Sequence, residues 1–220
     1  MTQSTLPKTS PTPVLLPGWH GSGPAHWQAL WRAEHADWGW VEQNDWVVPR
    51  LAQWVDRLDA VVAGCPGPVV IVAHSLGCMT FAHWAYFARE AVREKVAGAF
   101  LVAPADVERE GAPRELQEFA PLPKNRLPVP TMLIASENDP CMNLPAARRL
   151  ANCWKSILVN AGAAGHINVA SGHGAWPGGK TLLNGFVRDL TAPVLEPSRK
   201  RAKQSPLQPL RRSACGYWSG

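Results

Sequence analysis

Val69-Val70-Ile71-Val72-Ala73-His74-Ser75-Leu76-Gly77 is the stretch on which the reading of this chain turns. Its opening run of β-branched residues suits a strand buried on both faces, as in a parallel sheet. Leu76 to Arg89 then reads as a helix. Between them stands a serine with a small residue, Ala73 or Gly77, two positions to either side. A nucleophile on so sharp a turn needs small neighbours, because the strained backbone brings strand and helix close together. Such a turn exposes the serine Oγ and aims the next N–H, that of Leu76, at a reacting oxygen beside the helix N-terminus. The bland alternative is a serine that only caps an ordinary helix.

Working outward, short apolar runs alternate with helix-period segments, the pattern of a parallel sheet covered by helices. Strands are expected at Val14 to Leu16, Trp40 to Val41, Ala99 to Val102, Met132 to Ala135 and Ile157 to Val159. Helices are expected over Pro24 to Glu34, Pro49 to Val62, Pro145 to Cys153 and Lys180 to Leu190. Pro104 to Pro130 is punctuated by proline and reads as an excursion over the end of the sheet, not a second domain. The fold class is α/β: one domain over residues 14–190, a mainly parallel sheet with helices on both faces and no large lid. Residues 1–13 read as a flexible leader and 191–220 as a basic, Pro-rich disordered tail.

Composition narrows the function. The chain has 220 residues, enough to bury a core without metal or disulfide staples. No stretch approaches the roughly 20 apolar residues of a membrane helix, and the N-terminus lacks the apolar core of a signal peptide. The five cysteines are an odd number with no Cys-x-x-Cys pair, which points to a reducing cytoplasm. The formal charge of +5 invites a nucleic-acid reading. However, Arg199, Lys200, Arg201, Lys203, Arg211 and Arg212 against Glu196 alone place that whole excess after residue 190. The body is neutral, so nucleic acid is not an expected partner of the domain, and the oligomeric state is left open.

A serine needs a base, and the base needs an orienting carboxylate. On this architecture the acid and then the histidine follow the serine in the chain, each just past a strand. Asp139 follows the Met132 to Ala135 strand, and His166 follows the Ile157 to Val159 strand. Two rival acids remain. Asp106 also follows a strand, and Glu137 stands two residues before Asp139. The acid must sit on the loop beside the histidine loop, which favours Asp139 if the last two strands are neighbours.

From about Val14 to Leu190 the chain resembles the small YdeN-like and retinoblastoma-binding-protein-9-like serine hydrolases of the α/β-hydrolase superfamily. The likeness runs through Leu16-Pro17-Gly18, Ser22-Gly23, His26-Trp27, Asn44-Asp45-Trp46 and Pro49 to Trp54. It continues in Ala73-His74-Ser75-Leu76-Gly77, Asn138-Asp139-Pro140, Gly165-His166-Ile167-Asn168, Ser171-Gly172 and Trp176-Pro177. The superfamily's usual elbow is Gly-x-Ser-x-Gly, from which Ala73 departs. The resemblance implies a Ser75, Asp139, His166 triad and an oxyanion hole from Leu76 plus the loop after the first strand. Trp19 matches best as the second donor, with His20 next. The implied activity is hydrolysis of a small carboxylic ester, or an amide or thioester, through an acyl-enzyme without a cofactor. The rival is a binding protein that kept the scaffold but not turnover, with its tail contacting partners.

Several patterns are decoys. Gly174 to Thr181 matches the phosphate-loop spacing, but no strand precedes it and Pro177 removes a donor. Gly18, Gly21 and Gly23 run in the reverse of the dinucleotide spacing. His166 and His173 have no carboxylate or cysteine at ligand spacing along the chain, so no metal is expected. His74, His26, His35 and His83 read as packing or surface residues, and Cys78 as core. His20, Trp46 and Trp176, with Trp19, either wall a substrate pocket or plug the structure.

Overall fold

The computed structural model describes residues 10–192. The expectations for the leader before residue 10 and for the basic tail beyond 192 lie outside the described residues. Six strands form one sheet: β1 (Thr12–Leu16), β2 (Gly39–Trp40), β3 (Val69–His74), β4 (Val96–Val102), β5 (Thr131–Ala135) and β6 (Ile157–Asn160). Their order is β2-β1-β3-β4-β5-β6, and every pairing is parallel. β3 sits at the centre and is buried along its whole length, which explains its unbroken apolar run.

The helices are α1 (Trp27–Glu34), α2 (Leu51–Gly64), α3 (Leu76–Phe87), the short α4 (Glu90–Arg93), α5 (Leu144–Trp154) and α6 (Pro177–Thr191). Alternate strand residues feed two cores. Val14, Leu16, Val69, Ile71, Ala73, Leu101 and Leu133 pack with α2, α3 and α5. Leu15, Val70, Val72, Phe100, Val102 and Ile134 pack on the other face with Trp27, Trp31, Leu183 and Phe186 of α1 and α6. That two-faced burial is the reason the helix segments read as amphipathic while the strands do not. Among the described residues no helix is long and apolar enough to cross a membrane.

The segment from Pro104 to Pro130 crosses the surface as expected, yet it is better anchored than its composition implies. A 3₁₀ turn at Arg114–Phe119 buries Leu116 and Phe119. His83 Nε2 donates to Phe119 O (2.9 Å) and Trp154 Nε1 donates to Pro123 O (2.7 Å). α4 and this turn are too short for periodicity to reveal.

Candidate active site

The elements of the candidate site meet where β3 ends. Ser75 has φ 54° and ψ −121°, a conformation that costs an L-residue about 1–3 kcal/mol. Ser75 N–H donates to Val102 O and Cys78 N–H donates to Ser75 O, both at 3.0 Å, which hold the bend from both sides. The Ser75 side chain caps nothing, so the helix-cap reading fails. A Cβ on Gly77 would lie 2.4 Å from Leu16 O and 2.7 Å from Pro17 O. A Cβ on Gly18 would lie 2.7 Å from Ser75 Cβ and 3.2 Å from Leu76 N. These two glycines let the loop after β1 close onto the elbow.

His166 Nε2 is 2.9 Å from Ser75 Oγ, and His166 Nδ1 is 2.9 and 3.0 Å from the two oxygens of Asp139. Asp139 Oδ1 also accepts the Cys141 N–H at 2.8 Å. β5 and β6 are neighbours, so the acid loop and the histidine loop run side by side. They are laced together: Glu137 N–H donates to Gly162 O (2.8 Å), Gly165 N–H to Asn138 Oδ1 (2.7 Å) and Ala164 N–H to Ser136 Oγ (2.9 Å). The rival acids bond elsewhere. Glu137 accepts from Asn160 Nδ2 (2.8 Å), and Asp106 Oδ1 accepts the Glu108 N–H (3.1 Å).

Three histidines crowd together here. Burial opposes charge on His166, but the hydrogen bonds and attraction of Asp139, joined by the Cys141 side chain, outweigh it and raise the pKa to about 9. His74 Nε2 donates to His166 O (2.9 Å), and burial, then the charge of His166, push its pKa well below 6.5. His26 caps α1 by accepting the Gln28 N–H (3.2 Å); burial, then His166, lower its pKa to about 4. Two neutral histidines thus surround one that favours its charged form.

A family model described as serine hydrolase matches residues 13–185. The chain belongs to the serine hydrolase family. A YdeN-like hydrolase from Pectobacterium atrosepticum is 34% identical, with 81% of this chain and 91% of that chain covered and a TM-score of 0.72. The ydeN gene product of Bacillus subtilis shares the fold at 19% identity, covering 80% of this chain and 98% of that one, TM-score 0.63. An esterase from Thermogutta terrifontis does so at 16% identity, covering 83% and 92%, TM-score 0.58. A search of curated proteins returned no match. The parallel sheet flanked by helices is the α/β-hydrolase fold.

In this serine hydrolase a cavity of about 390 Å³ opens at Ser75 and His166, lined also by Trp19, His20, His26, Asn168 and Val169. Trp19 and His20 therefore stand where a pocket reading needs them. Trp46 and Trp176 do not line this cavity, which corrects their expected place in the pocket. Trp46 packs edge-on against Trp54 at 5.6 Å, and its carbonyl accepts the His20 N–H (3.0 Å). Trp176 stacks on Trp31 at 5.8 Å, and Gly179 beneath its ring explains the false phosphate-loop glycine. His35 is half-buried and stacks on Trp38, while Cys78 is fully buried.

Two positioning residues escaped the sequence reading. Gln28 is fully buried; its amide donates to Val72 O (3.0 Å) and Leu16 O (3.3 Å), and it accepts from Ser22 Oγ (2.7 Å). It joins the ends of β1 and β3 to the loop after β1. A polar residue beside Trp27 and Trp31 on a helix was the available signal. Cys141 is the other. Its thiol, one carboxylate oxygen of Asp139 and an imidazole nitrogen of His166 lie within 4.8 Å of one another. No carboxylate or cysteine lies near His166 along the chain, but the fold brings both to it.

Proposed function

We propose that this serine hydrolase cleaves a small, uncharged carboxylic ester through an acyl-enzyme, with Ser75 as nucleophile, His166 as base and Asp139 as orienting acid. The observation that carries this is the unbroken path from Ser75 Oγ through both His166 nitrogens to Asp139, mounted on a strained elbow. His166 Nε2 takes the hydroxyl proton as Oγ attacks the carbonyl carbon, then gives it to the leaving alkoxide. Asp139 keeps the remaining proton on Nδ1 and stabilises the imidazolium. Water then repeats the sequence to release the acid.

The oxyanion is assigned to two N–H groups. Leu76 N–H is the first of α3 and has no acceptor one turn back within that helix. In the facing loop His20 N–H is already bonded to Trp46 O, which leaves Trp19 as the donor beside Gly18. The substrate reading rests on the cavity lining, which holds neutral His26 and His74, Trp19 and Val169 but no lysine, arginine or carboxylate. A compact, uncharged acyl group fits that surface; amides and thioesters are the other acyl substrates to compare. Among the described residues Cys65, Cys78, Cys141 and Cys153 form no disulfide with one another, which supports a cytoplasmic setting.

A fluorophosphonate probe should label the wild-type protein, and Ser75→Ala should abolish labelling and reduce turnover by on the order of 10³-fold or more. Labelling of Ser75→Ala at the wild-type level would move the nucleophile elsewhere. A wild-type protein that neither labels nor turns over a series of acyl esters would restore the binding-protein reading.

A further inference from the structure

Asp139, Cys141 and His166 bring an oxygen, a sulfur and a nitrogen donor within 4.8 Å of one another. Tetrahedral zinc, with bonds of about 2.0–2.3 Å to such atoms, spaces its ligands by roughly 3.3–3.8 Å. To close the triangle onto an ion, its longest side must shorten by no more than about 1.5 Å. The donor set is also well held. Cys141 N–H donates to Asp139 Oδ1 (2.8 Å) and Cys141 O accepts from Asp106 N–H (3.1 Å), so the cysteine backbone is fixed on both sides. Asp139 is buried, and Cys141 and His166 are half-buried, which limits competition from water. An aspartate–histidine pair alone is a weak chelate. A thiolate added to it makes a three-ligand set suited to a borderline-soft divalent cation.

We propose that Asp139, Cys141 and His166 form a binding site for Zn²⁺ or a similar thiophilic divalent cation, and that its occupation reversibly switches hydrolysis off. The inhibitory half rests on the reading of His166 as the base. Nδ1 faces Asp139 and Nε2 faces Ser75, so the ion takes Nδ1. Starting from the imidazolium, the Nδ1 proton and the Cys141 thiol proton leave to solvent. Three bonds form to the metal, and the imidazole keeps its one remaining proton on Nε2. That nitrogen then has no lone pair for the Ser75 proton, and Asp139 is occupied by the metal. Removal of the ion restores the resting arrangement, because no covalent bond within the protein has changed.

The test uses the full chain, kept reduced and stripped of metal with a chelator, with Co²⁺ and Zn²⁺ themselves as probes. Co²⁺ should bind with a thiolate-to-cobalt charge-transfer band that Zn²⁺ removes by displacement. Zn²⁺ should suppress ester turnover and fluorophosphonate labelling together, and EDTA should restore both. In Cys141→Ser, and in Cys141→Ala as a second variant, the band should vanish. Each variant, compared with itself with and without Zn²⁺, should need at least about tenfold more ion for half-inhibition. A wild-type protein without the band, or variants as sensitive as wild type, would overturn the site. A protein that shows the band but keeps its turnover in Zn²⁺ would overturn the inhibition. Should labelling survive Ser75→Ala while the band persists, the triad reading fails separately from the metal site.

Discussion

Gly77→Ala tests whether the elbow works through close contact between the loop after β1 and the start of α3. The new methyl group would stand 2.4 Å from Leu16 O and 2.7 Å from Pro17 O. Both obstacles are backbone, and Leu16 is held in the β1–β3 pairing. To reach even 3.0 Å the two segments must part by about 0.6 Å, in an interior that compresses little. Overpacking of this kind costs about 1–3 kcal/mol. Against it, alanine in place of glycine inside a helix returns up to about 1 kcal/mol. Thermal stability should therefore fall by only a few degrees, at about 2–4 °C per kcal/mol for a domain of this size. Turnover should suffer more. A displacement approaching 1 Å at the reacting groups costs on the order of 10²-fold, and here it moves Leu76 N–H relative to the Trp19 loop. The assay is kcat/KM on a short-chain ester beside a melting curve, with Gly178→Ala as control. Gly178 has open space where its Cβ would be, so that variant should match or slightly exceed wild type in both readings. A Gly77→Ala protein with wild-type turnover and melting temperature would refute the reasoning.

Because the His166 pKa is raised to about 9, the rising limb of kcat/KM against pH should lie well above 6.5, as the base must lose its second proton first; a limb at or below 6.5 would show that Asp139 does not hold the imidazolium. Asp139→Asn should lower turnover by on the order of 10³–10⁴-fold near neutral pH, whereas Asp106→Asn should cost little; the reverse order, measured on the same ester, would reassign the acid. The buried histidines predict a loss of stability in mild acid. His26 and His74 have folded pKa values below the unfolded 6.5, so their contribution is complete above 6.5 and is lost as pH falls toward about 4. For His26 this amounts to about 3 kcal/mol at the limit. His166 has the opposite sign: its contribution is complete below 6.5 and declines as pH rises through about 9. Melting temperature should therefore peak near neutrality and already decline between pH 6.5 and 5, before most carboxylates titrate. A flat profile across that interval would contradict the assignment.

The sheet was legible because β3, β4 and β5 are unbroken apolar runs, and α2 and α6 carry long periodic faces; α3 is buried almost all round and was legible from its apolar length after the elbow. Their ends were less legible. α6 begins at Pro177, where the sequence pattern starts only at Lys180, because the Gly178-Gly179 pair hides the first turn. Of the residues the structure brings together at the candidate site, Ser75, Asp139 and His166 could be picked out because each follows a strand in the order this architecture uses. Cys141 could not. It stands 25 residues before His166, and only the β5–β6 pairing joins their loops. Trp46 and Trp176 misled for a related reason. Both lie on loops, which locates their backbones, but not whether an indole turns toward the cavity or toward a neighbouring ring.

The tryptophans, eleven in the whole chain, make sense once their ring nitrogens are followed. Trp27 Nε1 donates to Ile167 O (2.9 Å), Trp31 to Ala175 O (2.8 Å) and Trp19 to Val47 O (2.9 Å). Trp54 donates to Asp45 O (3.2 Å) and Trp154 to Pro123 O (2.7 Å). In each pair the ring packs against apolar neighbours while its one donor takes the carbonyl of a loop that has no strand to bond to. The loop carrying His166 is held this way from beneath: Trp27 secures the residue after it, Trp31 secures Ala175, and Trp176 stacks between α1 and α6. At Trp27 a phenylalanine would fill the space but leave the buried Ile167 carbonyl unbonded, at about 1–3 kcal/mol. The choice between walling a pocket and plugging a core therefore omits the use that Trp27, Trp31, Trp54 and Trp154 have, which is to tie irregular backbone to the helices that cover the sheet.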